Sequence, residues 1–442
     1  MDRPRTQPTL RGLLPTLPWP AWLLVGGACG CYVAVGFVSA FLVIYLHYVR
    51  GMRLGTAGIA LGAVAFAGLA LSPFVGSISD RIGAKATLIG LLAVGAAGSI
   101  AFAFVASPVY AILAAALYGA GIAGITGPES ALLATLVASR QRSSAFAMHY
   151  AATSLGLSLG ALAGGLFVDI NRPLTFEISF VVATVPLATY ALALVQVPVS
   201  ASDRTGGDVA SDEPAGRGGY RRVLSDRVFL RVLAFLSFII VFAGGQFEVA
   251  YPAYAVGVAH VTTRAIGYSF AFGSATVIVG MIVMLRVLDG RRRTRVIYIA
   301  AAFASSCWLI VLASGHSGGG VLAAAGMCLA MVVFAVAETM WAPTYLPLVN
   351  ELAPEDLRGR YNGLSATVEG GGRVVAPLLA GYLLQLGWGD ALMIVLALGT
   401  ASAVLFLAGI ERRLAPEANI IRSSEDLATA ASGDRLEVTP VG

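Results

Sequence analysis

Six acidic or basic side chains lie at least six residues from either end of a long apolar stretch in this 442-residue chain. They are Glu129, His149, Glu248, Glu338, Glu369 and Arg373. A charged group at the centre of a bilayer costs roughly 2.5 to 3.5 kcal/mol, so each needs a partner or a water-filled space. Their spacing forms no convergent nucleophile or metal set. The chemistry open to them is the binding and release of protons or charged solutes.

Glu369 and Arg373 are four residues apart, with the acid nearer the N-terminus. On a helix this order favours an ion pair. One interpretation is a structural ion pair. The other is that a proton or a cationic substrate competes with Arg373 for Glu369, so that neutralising the carboxylate releases the arginine.

Glu129 and His149 flank a short connection between two apolar stretches, and we expect them to lie close enough to meet. A Glu and His pair can titrate near neutral pH. A satisfied polar pair near a loop is the alternative interpretation.

Glu248 and Glu338 differ in their surroundings. Glu248 lies near the end of its apolar stretch, where contact with interfacial water would explain it. Glu338 stands alone in an apolar run five residues before Pro343. Glu338 is therefore the stronger candidate for coupling transport to a proton.

The composition identifies the elements that must position these groups. Hydrophobic residues make up 57% of the chain and charged residues 12%, against roughly 45 to 50% apolar residues in soluble proteins. Because about 20 apolar residues cross a bilayer, the sequence predicts an all-α polytopic membrane protein. Its twelve predicted spans are 21–48, 55–78, 86–106, 109–137, 143–168, 175–197, 228–254, 264–288, 296–314, 319–348, 361–386 and 389–410.

The distribution of Lys and Arg supports this count. With the N-terminus inside, 24 of the 29 basic residues fall in cytoplasmic segments, as the positive-inside rule requires. Both termini are therefore expected in the cytoplasm. The basic residues lie in short separate loops, which argues against binding to nucleic acid.

The chain divides into two six-helix bundles, at 21–197 and 228–410. A polar N-terminal tail (1–20), a flexible cytoplasmic linker (198–227) and a mobile C-terminal tail (411–442) complete it. The segment 160–167 resembles the segment 376–383, and the same shift of 216 residues places Arg142 on Arg358. Weak internal similarity of this kind is typical of transporters whose halves rock about a central site.

A charged stretch joins the second and third predicted spans. It reads GSISDRIGAK and fixes Gly76, Asp80, Arg81, Gly83 and Lys85. We expect the glycines to let two helix ends approach, Asp80 to face a positive helix N-terminus, and the bases to hold a short turn inside. The stretch resembles the signature between spans two and three of the major facilitator superfamily of transporters.

That resemblance implies that spans 1, 4, 7 and 10 line a central cavity, and that spans 2, 5, 8 and 11 form much of the interface between the halves. Asp80, Arg81 and Lys85 would then latch the cytoplasmic side. The substrate-cavity candidates are Phe37, Tyr118, Gln246, Phe247, Glu248, Tyr251 and Trp341, and about two of the five aromatic residues are expected to touch substrate.

The fifth span resembles a signature of drug and proton antiporters. It carries Gly156, Gly160, Gly164 and Gly165, with Ala161 in place of the usual proline. The fourth span shows Ala115 and Tyr118 where the antiporter motif has an arginine and a glutamine. The arginine assigned to proton transfer in that family is therefore absent.

The sequence thus predicts a monomeric, multi-pass transporter of the cytoplasmic (inner) membrane that exports drug-like or amphiphilic compounds by alternating access. The proton gradient would be its energy source, with no cofactor or metal. Glu338, Glu129 and Glu369, with Arg373 and His149, are the coupling candidates. Proton-coupled uptake of a sugar, organic acid or other nutrient is the alternative, and a membrane enzyme or sensor is a minor one.

Overall fold

The computed structural model describes residues 17–138, 141–197, 218–408, 410–412 and 419–421. Within these residues the chain is helical, with two isolated β-bridges and no strand. Ten helices are long and apolar enough to cross a membrane. They are Trp19–Val49, Leu54–Ile82, Ala84–Ala103, Pro108–Leu136, Ser144–Phe167, Pro173–Val195, Arg227–Gly257, Arg293–Gly315, Gly320–Leu352 and Gly389–Leu407.

Two further helices occupy the remaining predicted spans. Thr263–Val287 is span 8, and Arg358–Gln385, which carries Glu369 and Arg373, is span 11. The twelve predicted spans are confirmed in order and nearly in length. The protein is an all-α polytopic membrane protein.

Local capping explains where several spans begin. Ser107 accepts a hydrogen bond from the Tyr110 amide, and Pro108 occupies the first helical position of span 4. The Asp226 carboxylate accepts bonds from the first amides of span 7, at 2.9 and 3.1 Å. Side-chain acceptors at these positions satisfy amides that have no partner within the helix.

The chain forms two compact units. Of the described residues, those within 1–50 and 63–211 form the N-terminal unit, and those within 51–62 and 212–442 form the C-terminal unit. The first turns of span 2 therefore belong with the C-terminal unit. In that unit span 11 packs on span 7, where a Cβ at Gly372 would lie 2.7 Å from the Ile240 side chain.

The glycines of span 5 pack against span 1 inside the N-terminal unit. A Cβ at Gly156 would overlap the Cys29 carbonyl, and one at Gly160 would overlap the Val33 carbonyl. Gly164 lies against the Phe41 ring, and Gly165 is buried. The resemblance assigned span 5 to the interface between halves. Gly156, Gly160 and Gly164 serve close packing within the N-terminal unit, where only a residue without a side chain lets two backbones touch. The assignment of span 5 to the interface stays a prediction.

Five of the described spans are interrupted. Spans 6 and 12 are broken at a single residue each, Ala183 and Ala403, and spans 1, 4 and 7 are broken over longer stretches. The helix of span 4 stops at Ile122 and resumes at Thr126, and that of span 7 stops at Phe242 and resumes at Ala250. Span 1 breaks after Ser39 and ends in a π-helical turn over Tyr45–Val49. Each break frees backbone N–H and C=O groups. These groups must find new hydrogen-bond partners within the protein, because lipid offers none.

Two predicted boundaries need correction. The end of the predicted flexible linker is a helix, Gly218–Ser225, while 198–217 lie outside the described residues. Part of the tail predicted to be mobile packs onto the start of span 9. The Arg293 amide donates to the Asn419 carbonyl at 2.7 Å, and the Thr294 amide donates to Asn419 Oδ1 at 3.1 Å. Asn419 thus caps a helix whose own N-cap residue makes no side-chain cap.

Candidate functional site

The centre of the C-terminal unit holds an ion pair on span 11. Arg373 Nη2 lies 3.1 Å from Glu369 Oε1, and Nε lies 3.3 Å from the same oxygen. The predicted spacing of four residues therefore produces the expected contact. The Arg373 side chain is 51% exposed and the Glu369 side chain is 43% exposed. The pair therefore borders a space that solvent can reach, although both residues lie in the middle of the helix Arg358–Gln385.

Two more carboxylates lie within electrostatic reach of the same guanidinium. Glu248 of span 7 and Glu338 of span 10 both interact electrostatically with Arg373. Glu338 is exposed and Glu248 is partly buried. The structure therefore brings together four of the six ionisable residues that the sequence places well inside apolar stretches, namely Glu248, Glu338, Glu369 and Arg373. Three acids around one base carry a net negative charge when all are ionised.

The break in span 7 positions Glu248. Gly244 and Gly245 open the helix, and Gln246 occupies a single 3-10 turn. The Gln246 amide nitrogen donates to the Val241 carbonyl at 2.6 Å and to the Ala376 carbonyl of span 11 at 3.1 Å. Gln246 thus satisfies a carbonyl near the break and ties span 7 to the helix that carries Arg373. Broken helices of this kind commonly build transporter sites.

The N-terminal unit holds a second, closed cluster. His149 Nε2 lies 3.1 Å from Glu129 Oε2, as the sequence predicted, and the Tyr190 hydroxyl donates to Glu129 Oε1 at 2.5 Å. Glu129 is 2% exposed. It lies in the first turn of the second half of span 4, where the helix dipole favours a carboxylate.

Tyr190 was not identified from the sequence. It lies 61 residues beyond Glu129 in span 6, and a tyrosine in an apolar helix has no pattern that marks it as a partner. The sequence likewise did not indicate a further polar cluster of the C-terminal unit. There Asp390 accepts from the Tyr254 hydroxyl at 2.7 Å and lies 3.1 Å from His316 Nε2.

The charged stretch after span 2 has a different form from the one predicted. The helix continues through Asp80 and Arg81 and stops only at Gly83, whose φ of 90° favours glycine. A Cβ at Gly76 would meet nothing within 4 Å, so this glycine permits no close helix approach. The predicted short charged turn is thus mostly helix.

The bases of this stretch have separate roles. Lys85 Nζ donates to the carbonyls of Val195 and Val197, at 3.0 and 2.7 Å, at the end of span 6. Carbonyls at a helix C-terminus attract a cation. Asp80 and Arg81 are exposed. Their predicted latch function stays a prediction.

The predicted aromatic cavity wall is mostly packed core. Tyr118, Phe247 and Tyr251 are at most 8% exposed, and Gln246 is fully buried. Phe247 packs on Trp308 with ring centroids 5.1 Å apart. The helical pattern could not say which face of each span points inward.

Phe37 and Trp341 are partly exposed, so they remain the aromatic residues of this set that a solute could reach. Trp341 stacks on Tyr345 with ring centroids 4.6 Å apart. Trp341 lies on span 10, three residues after Glu338. An aromatic surface therefore adjoins the open carboxylates of the C-terminal unit.

These features define a helical membrane protein with ionisable groups held at broken spans. The crystal structure of the POT family transporter PepTSo matches with a TM-score of 0.72 at 14% identity, over 90% of this chain and 99% of that one. At this identity the match establishes the fold alone.

Sequence comparison gives the family. Residues 24–377 match the Major Facilitator Superfamily. The uncharacterised MFS-type transporter YdeE of Escherichia coli K12 is 24% identical over 86% of this chain and 92% of its own length. The chain belongs to the Major Facilitator Superfamily, and it is a secondary active transporter rather than an enzyme.

A multidrug resistance protein is also among its relatives. MdtH of Salmonella arizonae is 29% identical over 207 residues, which are 45% of this chain and 47% of that protein. The match spans about half of each protein.

Proposed function

We propose that this transporter exports drug-like or amphiphilic compounds across the inner membrane in exchange for protons, as a monomer with both termini in the cytoplasm. The observation that carries the proposal is the accessible cluster of Glu248, Glu338 and Glu369 around Arg373. The similarity to MdtH supports efflux as the direction.

The cluster offers a direct exchange mechanism. Arg373 is hydrogen-bonded to Glu369 in this structure, and two other carboxylates interact electrostatically with the same guanidinium. A proton that neutralises Glu369 would free Arg373 to pair with Glu248 or Glu338, so protonation changes which spans are joined. A ligand can shift a conformational equilibrium only through such a difference in interaction.

A cationic, lipophilic substrate fits the same cluster. Its charge would be attracted by carboxylates in excess over arginine, and its apolar body could lie on Trp341. Proton and substrate would then compete for one set of acids. Glu129 with His149 is the second candidate coupling site, although both of its carboxylate oxygens already have partners.

The test is transport of a fluorescent cationic amphiphile into inverted membrane vesicles. We expect accumulation to stop when the pH gradient and the membrane potential are collapsed, and to be lost in Glu338→Gln and Glu369→Gln. Asp169→Asn, which alters an exposed carboxylate in a loop of the N-terminal unit, is the matched control. Transport that is unchanged by collapse of the gradient would refute proton coupling.

The same vesicles separate export from uptake. An exporter concentrates substrate inside inverted vesicles, whereas a proton-coupled importer would accumulate it only in right-side-out vesicles. Labelling of single cysteines at Lys85 and at Arg53 from outside intact cells tests the orientation, since only position 53 should react.

A further inference from the structure

The short helix Gly218–Ser225 precedes span 7. One buried residue sets which face of this helix points into the protein and which face is exposed. Val223 is fully buried and packs in the same core cluster as Phe229 and Tyr361. Tyr220 and Leu224, one turn apart on a neighbouring flank, are therefore left 49% and 53% exposed. This helix presents an apolar flank at the end of the C-terminal unit.

Arginines are exposed on this helix and on the start of span 7, which follows it after one residue. Arg221 is exposed on the helix, and Arg227 and Arg231 are exposed on the first two turns of span 7. Since helical residues rise 1.5 Å each, the last two lie about 6 Å apart along the axis. None of these three forms an ion pair with another described residue. We call Tyr220, Arg221, Leu224, Arg227 and Arg231 the basic patch.

Two described acids close to these arginines already have partners. Asp226 caps span 7 with one oxygen and accepts from the Tyr361 hydroxyl at 2.8 Å with the other. Asp356 lies 3.5 Å from Arg222, which is not part of the patch. Arg360 adds a further positive charge over the Tyr220 ring, at 5.8 Å. Within the part of the chain that the structure describes, no acid therefore offsets the charge of the patch arginines.

We propose that the basic patch binds anionic phospholipid of the bilayer. A helix with an apolar flank beside arginines lies in the plane of a membrane interface. Basic clusters next to a membrane span attract anionic headgroups, and guanidinium groups bind phosphate oxygens in pairs. The apolar Tyr220 and Leu224 would contact acyl chains while the arginines hold phosphates. The bound lipid anchors the start of span 7, the span that carries Glu248.

The test is native mass spectrometry of the full-length protein titrated with phosphatidylglycerol or phosphatidylcholine. We expect the wild type to retain phosphatidylglycerol in preference. The triple variant Arg221→Gln, Arg227→Gln, Arg231→Gln should bind it roughly tenfold to a hundredfold more weakly, because each arginine near a surface contributes about fivefold. The triple variant Arg142→Gln, Arg291→Gln, Arg295→Gln removes three exposed arginines elsewhere and should bind as the wild type does.

Three results would overturn the proposal: equal losses in both triple variants, equal retention of the two lipids, or stabilisation by soluble glycerophosphoglycerol alone. Unfolding temperatures in zwitterionic detergent show whether the patch variant is folded. If it is not, the single variants Arg221→Gln and Arg231→Gln carry the same test, with Arg295→Gln as control. The outcome does not depend on which compound is carried, so it is separate from the test of efflux.

Discussion

The N-terminal and C-terminal units each place a carboxylate beside a basic side chain at membrane depth, and the two carboxylates differ in their surroundings. Glu129 is 2% exposed, with Tyr190 on one oxygen and His149 beside the other. Glu369 is 43% exposed and shares Arg373 with two further acids. The carboxylate of the first cluster is closed off and has a neighbour at each oxygen, whereas the second cluster is open and has more acids than bases.

From this difference we infer that one cluster stabilises the fold and that the other exchanges protons and substrate. A buried polar group whose partners are complete is costly to disturb and has little reason to change its partners. An accessible carboxylate whose basic partner also interacts with other acids can gain a proton or a ligand without disrupting a packed core. We therefore assign the closed cluster to holding spans 4, 5 and 6 together, and the open cluster to coupling.

The largest expected effect is the loss of Arg373. Arg373→Gln leaves three neighbouring carboxylates without a base, so the switch of partners can no longer occur. We expect transport to fall at least tenfold with little change in unfolding temperature, because water reaches the site. Vesicle transport and thermal unfolding of the same preparations measure both. A misfolded Arg373→Gln protein would instead show that the open cluster is structural.

The next effect is on stability in the N-terminal unit. Glu129→Gln keeps the acceptor for Tyr190 and loses the charge facing His149. We expect destabilisation on the order of 1 to 3 kcal/mol, with proton-coupled transport retained per folded molecule. Thermal unfolding in detergent measures the destabilisation. A folded Glu129→Gln protein that transports without a proton gradient would reverse the assignment of the two clusters.

Span 1 packs closely on span 5, the span that carries His149. Gly160→Ala would place a methyl group on the Val33 carbonyl, and overpacking of this kind costs about 1 to 3 kcal/mol. Gly90→Ala is the matched control, because a Cβ there meets nothing within 4 Å. Equal unfolding temperatures for the two variants would show that the backbones are not in contact.

The smallest effect concerns the charged stretch after span 2. Lys85→Gln removes the cation at the end of span 6 and should cost about 1 kcal/mol. Asp80→Asn changes an exposed residue and should leave the unfolding temperature unchanged while slowing transport. The opposite pattern, with Asp80→Asn destabilised and fully active, would remove the latch from the mechanism.

Local patterns explain what the sequence could predict. The spans follow from the length of apolar runs. The Glu369 and Arg373 pair follows from helical spacing, and the meeting of Glu129 and His149 follows from a short connection between neighbouring spans. Span 2 was predicted to end at residue 78 but continues to Ile82, because charged residues do not end a helix and Gly83 does.

Long-range packing explains what the sequence could not predict. Tyr190 reaches Glu129 from a helix two spans away, and nothing near either residue indicates it. Tyr118 and Tyr251 looked like cavity residues but are buried, since the whole of each span is apolar and no face is marked. Asn419 caps span 9 from a polar tail that has no helical or apolar pattern.

Proton release on substrate binding tests the central claim most directly. Purified protein in weakly buffered detergent, mixed with a cationic amphiphile, should release about one proton per molecule bound, if substrate and proton compete for the open cluster. We expect release to be lost in Glu338→Gln or Glu369→Gln and kept in Glu129→Gln. Release that persists in both C-terminal variants, or disappears in Glu129→Gln, would contradict the account.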